Sequence, residues 1–318
     1  MGPRQVPLLV FLLLLIGLVL LVVGSDYLVE GGGQLALLFR VPALVVGLTI
    51  VAFGTSTPEL VVSVTAALKA STEMALANVN GSNIANIALV LGVVAMVRPL
   101  QVDRMLMRRE VPSCLGLQLM VPLVAYNGVI SRGEGVVLIL AGAGYNIWVL
   151  YEALRGRPPK MSDDDDDADS GWIKQLAMLI GGLVMLIAGA QIFVPAAADI
   201  ARMMHISDRF IGLTVVALGT SMPELVTGIQ AARRGEVELA VGNSLGSNIL
   251  NISMVLGTTA IIAPIHIVDG AAWNDMGAAV FATALLIPLV LKGSLSRIEG
   301  GVLSSGYVAY VAFNFLSI

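Results

Sequence analysis

Hydrophobic positions along this chain fall into long, nearly unbroken runs. Leu8 to Val23 is almost entirely Leu, Val and Ile, and the stretches Leu176 to Ala190 and Met276 to Leu291 are similar. A helix rises about 1.5 Å per residue, so runs of this length can cross the roughly 30 Å hydrocarbon core of a bilayer. The pattern therefore predicts an all-α membrane protein.

Hydropathy predicts ten membrane-spanning helices. With a window of about 19 residues, the expected spans are 6–30, 42–68, 74–97, 110–128, 134–154, 173–198, 209–232, 238–262, 273–291 and 299–317. Composition agrees: 57% of the 318 residues are hydrophobic, only 13% are charged, and the mean hydropathy is +0.89. Soluble domains carry about 25% charged residues.

The ten spans form two related sets of five. Shifting the chain against itself by 165 residues aligns 47–92 with 212–257 without a gap, and 26 of these 46 positions are identical. Because five is odd, the second set must enter the membrane from the opposite side. We therefore expect two inverted five-helix repeats, a transporter architecture that places its site near the midplane. The expected division is a first repeat at 1–156, an acidic cytoplasmic linker at 157–172 and a second repeat at 173–318.

The distribution of positive charge predicts the orientation. Thirteen of the 18 Lys and Arg fall in one set of alternate loops and five in the other, and such residues are enriched on the cytoplasmic side. In the plasma or inner membrane, both termini and the turn 69–73 are therefore expected outside, and the loop 157–172 inside.

The aspartate run Asp163 to Asp167 in that loop lacks the Gly and terminal Glu of an EF-hand, which favours a solvated linker over a Ca²⁺ sensor.

Two carboxylates are expected deep in the membrane. Of the 22 Asp and Glu, nearly all lie in loops or close to a span end, and the two deep ones are Glu59 and Glu224. A carboxylate near mid-bilayer is costly unless it is paired, neutralised or cation-bound, and no Lys or Arg lies at comparable depth. A protonated, hydrogen-bonded glutamate is the alternative, but it would have to arise at both equivalent positions. Asp26 and Glu30, expected near the external end of the first span, have no acidic counterparts in the second repeat.

Oxygen-bearing residues surround both glutamates. The second span contains AFGTSTPE at 52–59, and the seventh contains ALGTSMPE at 217–224. In a helix, Thr55 and Ser56 precede Glu59 by four and three residues and share its face.

A proline interrupts the helix before each glutamate. Pro58 has no N–H, so the carbonyl of Gly54 loses its usual helical partner, and Pro223 does the same to Gly219. Broken helices with freed carbonyls are tolerated at membrane depth where they line a cavity. Carboxylate, hydroxyl and carbonyl oxygens are the ligands of hard cations such as Ca²⁺ and Na⁺.

A second pair of motifs adds further oxygens. The third span contains GSNIAN and the eighth contains GSNILN. Ser82 and Asn86 are four residues apart and share a helix face, as do Ser247 and Asn251. Cation ligation and hydrogen bonding between helices are both open for these four. Hydrogen bonding is the favoured role for the middle Asn of each motif.

These four blocks resemble the α-repeats of the cation/calcium exchanger superfamily, in particular the prokaryotic sodium/calcium exchangers. GTSTPEL with GSNIANI, and GTSMPEL with GSNILNI, are similar to that family's paired signatures and occur in the same order. The resemblance implies that the glutamates bind Ca²⁺ centrally, together with the carbonyls of Thr55 and Thr220, while flanking hydroxyls and carbonyls hold Na⁺. The implied ligands are Ala52, Thr55, Ser56, Glu59, Ser82 and Asn86 in the first repeat, and Ala217, Thr220, Ser221, Glu224, Ser247 and Asn251 in the second.

One position departs from part of the family. Some relatives carry Asp where this chain has Asn251, and in the potassium-dependent exchangers that Asp is tied to K⁺. Asn in both halves leaves two formal charges in the site, which argues against K⁺ coupling.

The sequence thus predicts a secondary antiporter that exchanges Na⁺ for Ca²⁺ by alternating access. Ca²⁺/H⁺ antiport is the alternative, because two glutamates can exchange protons for Ca²⁺, although the neighbouring hydroxyls favour Na⁺. A cation channel is a different class, and a two-carboxylate midplane site on an inverted repeat argues against it.

The sequence contains no P-loop, nucleophile–base pair or metal-hydrolase motif. We therefore expect no enzymatic activity, no cofactor, no nucleic acid and no required protein partner, with Ca²⁺ and Na⁺ as substrates and the lipid bilayer as surroundings.

Overall fold

The chain folds almost entirely into helices arranged as two repeats. The computed structural model describes residues 5–69, 71–101, 104–155, 172–204, 217–267 and 270–316. The first-repeat helices are α1 (Gln5–Leu38), α2 (Ala43–Val46), α3 (Ala52–Thr55), α4 (Thr57–Leu68), α5 (Thr72–Ile84), α6 (Leu91–Val97), α7 (Arg104–Val124) and α8 (Arg132–Arg155). The second-repeat helices are α9 (Trp172–Met203), α10 (Ala217–Thr220), α11 (Met222–Arg234), α12 (Val237–Leu250), α13 (Gly257–Ile262), α14 (Gly270–Ala284), α15 (Ile287–Lys292) and α16 (Arg297–Leu316). Within the described residues, three π-helical segments, Gly47–Val51, Ala85–Val90 and Asn251–Leu256, join α2 to α3, α5 to α6 and α12 to α13.

Several of these helices can cross a membrane. Within the described residues, five are long and apolar enough: Leu8–Leu38, Thr72–Val97, Arg132–Arg155, Trp172–Met203 and Val237–Ile262. A sixth span is formed if Ala43–Thr55 and Thr57–Leu68, bent by 44°, are taken together. Helices α7, α11, α14 with α15, and α16 occupy the other four expected positions. The expected start of the seventh span and most of the acidic linker lie outside the described residues. The prediction of a helical membrane protein is confirmed, while the count of ten spans stays a prediction.

The first helices of the two repeats, α1 and α9, pack along each other. A β-carbon on Gly24 would lie 2.8 Å from the carbonyl oxygen of Gly182, and one on Gly182 would lie 2.5 Å from that of Gly24. Only glycine permits so close an approach, as at other helix contacts in membranes. The offset of 165 residues carries this contact to Gly189 and Gly17, where a β-carbon on Gly189 would lie 3.0 Å from the carbonyl oxygen of Gly17. The contact therefore occurs twice, as a two-fold relation between the repeats requires.

Short strands join the repeats in the same reciprocal way. β1 (Leu100–Gln101) pairs antiparallel with β4 (Ser294–Leu295), and β2 (Val129–Ile130) pairs antiparallel with β3 (Ile265–His266). The offset of 165 residues converts β1 into β3 and β2 into β4. Each repeat therefore contributes equivalent strands to both small sheets.

Ion pairs at the end of α11 correct one expectation. Arg234 pairs with Asp26 at 2.8 Å and with Glu30 at 3.0 Å, so all three residues lie on the same side of the protein. The charge distribution assigns Arg234 to the cytoplasmic side, which is incompatible with Asp26 and Glu30 near the external end. Because α1 continues to Leu38 and leads to Arg40, also assigned to the cytoplasmic side, the external placement of the two acidic residues is inconsistent with the predicted orientation.

Candidate cation site

Both deep glutamates lie in the first turn of a helix that follows a break. Glu59 is in α4 and Glu224 is in α11. The chain leaves helical geometry at Ser56, with φ −82° and ψ 2°, and at Ser221, with φ −86° and ψ 6°. A proline near the start of each following helix suits a position where no intrahelical N–H bond is made. The breaks predicted from the two prolines are confirmed, and they have the same geometry in both repeats.

The predicted site residues are gathered in the protein interior. Every predicted side chain that the structure describes is buried, and both glutamates are fully inaccessible: Ala52, Thr55, Ser56, Glu59, Ser82, Asn86, Thr220, Ser221, Glu224, Ser247 and Asn251. Ala217 begins α10, and its side chain lies outside the described part. The two carboxylates are close enough to interact electrostatically.

Serine hydroxyls bond each glutamate in an equivalent way. Ser82 donates to Oε1 of Glu59 at 3.3 Å, and Ser247 donates to Oε1 of Glu224 at 3.3 Å. The Ser82 hydroxyl also lies 3.1 Å from that of Ser221. Each carboxylate is therefore held by the GSN motif of its own repeat, and a contact between serines connects the two halves.

Thr55 makes a second connection between the repeats. Its hydroxyl donates to Oδ1 of Asn243 at 3.0 Å and lies 3.3 Å from the hydroxyl of Ser247. Thr55 also interacts with the carboxylate of Glu224, and Thr220 interacts with that of Glu59. Each glutamate thus has hydroxyl neighbours from both repeats.

Several buried oxygens at the site have no hydrogen-bond partner among the described residues. They are Oε2 of Glu59, Oε2 of Glu224, Oγ of Ser56, Oδ1 of Asn86 and Oδ1 of Asn251. All five belong to predicted ligands, and all five can act as acceptors. Burying such atoms without a partner costs free energy, whereas a hard cation satisfies several of them at once. The donor set therefore fits Ca²⁺ or Na⁺ as cargo.

The backbone carbonyls near the break are less free than predicted. Backbone N–H groups at the C-terminal cap of α3 bond the carbonyls of Ala52 and Gly54. Pro58 still denies the Gly54 carbonyl its usual helical partner, but the turn at Ser56 supplies another donor, so the expectation that this carbonyl is freed was wrong. The Ala52 carbonyl accepts hydrogen bonds from the Ser56 N–H at 2.9 Å and from the Thr55 hydroxyl at 3.4 Å. A cation bound to this carbonyl would therefore compete with these two donors for the oxygen's lone pairs.

Sequence reasoning missed three polar residues around the site, of which Asn243 and Gln118 are fully buried and Asn78 is partly buried. Asn78 donates to the carbonyl of Glu59 at 3.4 Å and to Ser63 at 3.0 Å. Asn243, its equivalent, accepts from Thr55. The identity of these two positions between the repeats was a signal that could have revealed them. Gln118 accepts a hydrogen bond from Asn83 at 2.8 Å, and no motif or repeat marks it.

A buried carboxylate outside the site was also missed. Glu110 was expected at the end of a span, but it is fully buried, pairs with Arg109 and accepts from the hydroxyl of Tyr145. In the second repeat, Tyr310 donates to Asp275 at 2.6 Å. Each repeat therefore joins its last two predicted spans through a tyrosine–carboxylate bond.

The geometry defines a class of protein. In the described part of the chain, no three His, Cys, Asp or Glu side chains form a group that could hold a metal ion. The site instead combines two carboxylates with hydroxyl and amide oxygens at the meeting point of two repeats. A buried oxygen site between inverted repeats is the design of a membrane transporter for small cations.

Comparison with known proteins identifies the family. A family described as "Sodium/calcium exchanger protein" matches residues 9–151 and 174–316. The chain belongs to this family and is a cation/Ca²⁺ exchanger, as the motif resemblance predicted.

Its relatives match almost the whole chain. It is 32% identical over 345 residues to the sodium/calcium exchanger MaX1 of Methanosarcina acetivorans, covering 96% of this chain and 98% of MaX1. It is 34% identical over 311 residues to the inner membrane protein YrbG of Escherichia coli K12, covering 94% and 95%. The solved structure of the sodium-calcium exchanger NCX_Mj soaked with 10 mM Na⁺ and 10 mM Sr²⁺ matches with a TM-score of 0.85 and 31% identity, covering 96% of this chain and 98% of that one.

Proposed function

We propose that this protein exchanges Na⁺ for Ca²⁺ by alternating access at one site built on Glu59 and Glu224. The observation that carries the proposal is the set of five unpaired, buried oxygens, all on residues with the chemistry of hard-cation ligands. MaX1 and NCX_Mj, which match nearly end to end, are themselves sodium/calcium exchangers by name.

Ca²⁺ and Na⁺ would use neighbouring ligands around the same two glutamates. Glu59 and Glu224, with the carbonyls of Thr55 and Thr220, supply the charge and oxygens for Ca²⁺, which takes six to eight oxygen ligands. The Na⁺ ligands would be Ala52, Ser56 and Ser82 in the first repeat and Ala217, Ser221 and Ser247 in the second. Asn86 and Asn251 complete the site. Because both sets of ligands surround the same two carboxylates, the ions compete, and competition at one site is what couples their transport.

Ca²⁺/H⁺ antiport is the second candidate. It is favoured by the electrostatic interaction between the two buried carboxylates, since proton binding would relieve their repulsion. Hydroxyls beside both glutamates favour Na⁺, because proton exchange needs no such ligands. The proposal assigns the chain no catalytic role and no cofactor.

The proposed arrangement places the protein in the plasma or inner membrane, with both termini outside and the 157–172 loop in the cytoplasm. The excess of Lys and Arg in one set of loops supports this orientation. YrbG, an inner membrane protein by name, matches over nearly its whole length.

The test is ⁴⁵Ca²⁺ uptake into proteoliposomes loaded with Na⁺, with K⁺ and pH gradients varied separately. We expect uptake to require the outward Na⁺ gradient, to be independent of K⁺ and to persist when the pH gradient is abolished. Uptake that continues without Na⁺ and follows an imposed pH gradient would establish the proton-coupled alternative. Uptake that needs no counter-ion at all would indicate a channel.

A further inference from the structure

Four asparagines beside the cation site form two amide hydrogen bonds, each of which joins one repeat to the other. Nδ2 of Asn86 donates to Oδ1 of Asn248 at 3.1 Å, and Nδ2 of Asn251 donates to Oδ1 of Asn83 at 3.1 Å. All four side chains are buried. Each predicted ligand therefore uses its nitrogen on the opposite repeat, and its own Oδ1 is left unpaired.

The orientation of these amides decides what a cation meets. An asparagine amide presents an acceptor on one side and a donor on the other. If Asn251 were reversed, an N–H₂ group would face the cation. Its oxygen would then face Oδ1 of Asn83, an acceptor, and the Ser82 hydroxyl, whose proton is donated to Glu59; Nδ2 now donates to these two oxygens at 3.1 and 3.2 Å. The ligand is therefore correctly oriented only while Asn83 presents its oxygen.

Gln118 holds Asn83 in that orientation. Nδ2 of Asn83 donates to Oε1 of Gln118 at 2.8 Å, which is shorter than its 3.5 Å contact with the main-chain oxygen of Asn248. With Asn83 reversed and Gln118 unchanged, Oδ1 of Asn83 would face Oε1 of Gln118 in a buried position, and two acceptors cannot bond. Reversal would also turn Asn83 Nδ2 toward Asn251 Nδ2, and two donors cannot bond.

In the second repeat, the amide of Asn248 is held in its orientation without a glutamine. Asn248 donates to the main-chain oxygen of Asn83 at 3.1 Å. The position equivalent to Gln118 is Thr283, whose hydroxyl bonds the Ala279 carbonyl within its own helix at 2.9 Å. Only the Asn251 side of the site therefore depends on a side chain from α7.

We propose that Gln118 is a positioning residue which, through Asn83, turns Oδ1 of Asn251 toward the transported cation. The inference rests on the proposed function, because it takes Asn251 as a cation ligand. Gln118 itself does not touch the ion. Its predicted effect is on cation affinity, and that effect must pass through Asn251.

The experiment measures equilibrium ⁴⁵Ca²⁺ binding, and its displacement by Na⁺, on purified protein. Gln118→Met keeps the length of the side chain but removes the acceptor oxygen, and we expect cation binding to weaken about fivefold, the size of one buried hydrogen bond. Gln118→Glu keeps an acceptor oxygen and should bind at least as tightly as the wild type. Thr283→Val, the matched change in the other repeat, should leave binding unchanged.

A double-mutant cycle separates positioning from general packing. In an Asn251→Ala background, Gln118→Met should cause no further weakening, whereas in an Asn86→Ala background it should cause the full fivefold loss. A loss that persists without the Asn251 side chain, or equal weakening by Met and Glu, would overturn the inference. If Gln118→Met does not fold, the Glu variant and its cycle with Asn251→Ala carry the test: weakened binding in Gln118→Glu would count against the inference. Failure of the wild type to bind Ca²⁺ in competition with Na⁺ would instead refute the proposed function.

Discussion

The hydroxyl oxygens of Ser82 and Ser221 lie 3.1 Å apart, although the two residues belong to different repeats and are 139 positions apart in the chain. Ser82 also bonds Glu59, and Ser221 marks the helix break before Glu224. The surroundings of each carboxylate are therefore shared between the repeats. A movement of one repeat against the other would change the ligands of both glutamates at once, as alternating access at a single site requires.

Neutralising either glutamate should abolish exchange. Glu59→Gln and Glu224→Gln keep the side-chain shape but remove a charge that Ca²⁺ needs, and they place an N–H₂ donor where a free oxygen stood. We expect Ca²⁺ uptake at background level in both variants, with each still eluting as folded protein in size-exclusion chromatography. Glu73→Gln, at an exposed residue in the first turn of α5, is the control and should transport normally. Near-normal exchange in either site variant would rule out a two-carboxylate site.

Removing the hydroxyl at a helix break should affect Na⁺ more than Ca²⁺. The Ser56 hydroxyl is buried beside the carboxylate of Glu224 and has no hydrogen-bond partner among the described residues. Na⁺ carries one charge and gains less from the two carboxylates than Ca²⁺ does, so the loss of a neutral oxygen should affect Na⁺ more. We expect Ser56→Ala to raise the Na⁺ concentration for half-maximal exchange by about fivefold, the loss of one polar contact, with a smaller change for Ca²⁺.

The neighbouring Thr57 provides the control for this variant. Its hydroxyl bonds the Phe53 carbonyl in the preceding turn, and the second repeat has Met222 at the equivalent position. Thr57→Met should therefore leave Na⁺ dependence unchanged. If Ser56→Ala changes the concentration for half-maximal exchange of neither ion, the hydroxyl is not a ligand and the case for Na⁺ coupling weakens.

Cysteine labelling should show that the equivalent turns face opposite sides. Ser71 is exposed before α5, and Arg233 is exposed in the last turn of α11. In a Cys114→Ala background, a membrane-impermeant thiol reagent applied to right-side-out vesicles should label Ser71→Cys and spare Arg233→Cys. Disrupting the vesicles should expose both. Labelling of both from one side would mean that the repeats are parallel.

Gly235, two residues after Arg233, is unsuitable for a labelling cysteine. Gly235 has φ +89°, and a β-carbon there would lie 2.9 Å from Nη1 of Arg98. A cysteine at Gly235 would be strained and would displace Arg98, so its labelling would report a disturbed turn. Cys114 is fully buried, so its replacement removes a thiol that the reagent should not reach.

A methyl group at the α1–α9 contact should destabilise the protein. In Gly182→Ala the new β-carbon would meet the Gly24 carbonyl at 2.5 Å and the Leu28 nitrogen at 2.6 Å, forcing the helices apart. Overpacking of this kind costs about 1–3 kcal/mol, so we expect a lower Tm in detergent. Gly181→Ala is the matched control, since its β-carbon would meet nothing within 4 Å. An equal Tm for the two variants would contradict the close packing of α1 and α9.

Much of this protein could be predicted from its sequence because the relevant signals are local or duplicated. Unbroken apolar runs predict membrane helices from the cost of exposing backbone groups to lipid. A proline and a glutamate one position apart predict the break and the ligand without reference to any other helix. The repeat then marks both as functional, because Glu59 and Glu224 occupy equivalent positions and a chance burial would not recur.

Other features could not be predicted, because they depend on how helices distant in the chain are rotated and docked. Hydropathy places Glu110 at a span end, and only the packing of α7 against α8 makes it a buried partner of Tyr145. Spacing likewise places Asn83 beside the site, but its role depends on Gln118, which α7 brings to 2.8 Å. The sequence by itself determined which residues carry oxygens at membrane depth, since that follows from helical periodicity and the repeat. The tertiary structure decided which of those oxygens stay free, because a hydrogen bond forms or fails over tenths of an ångström that only the packing of both repeats defines.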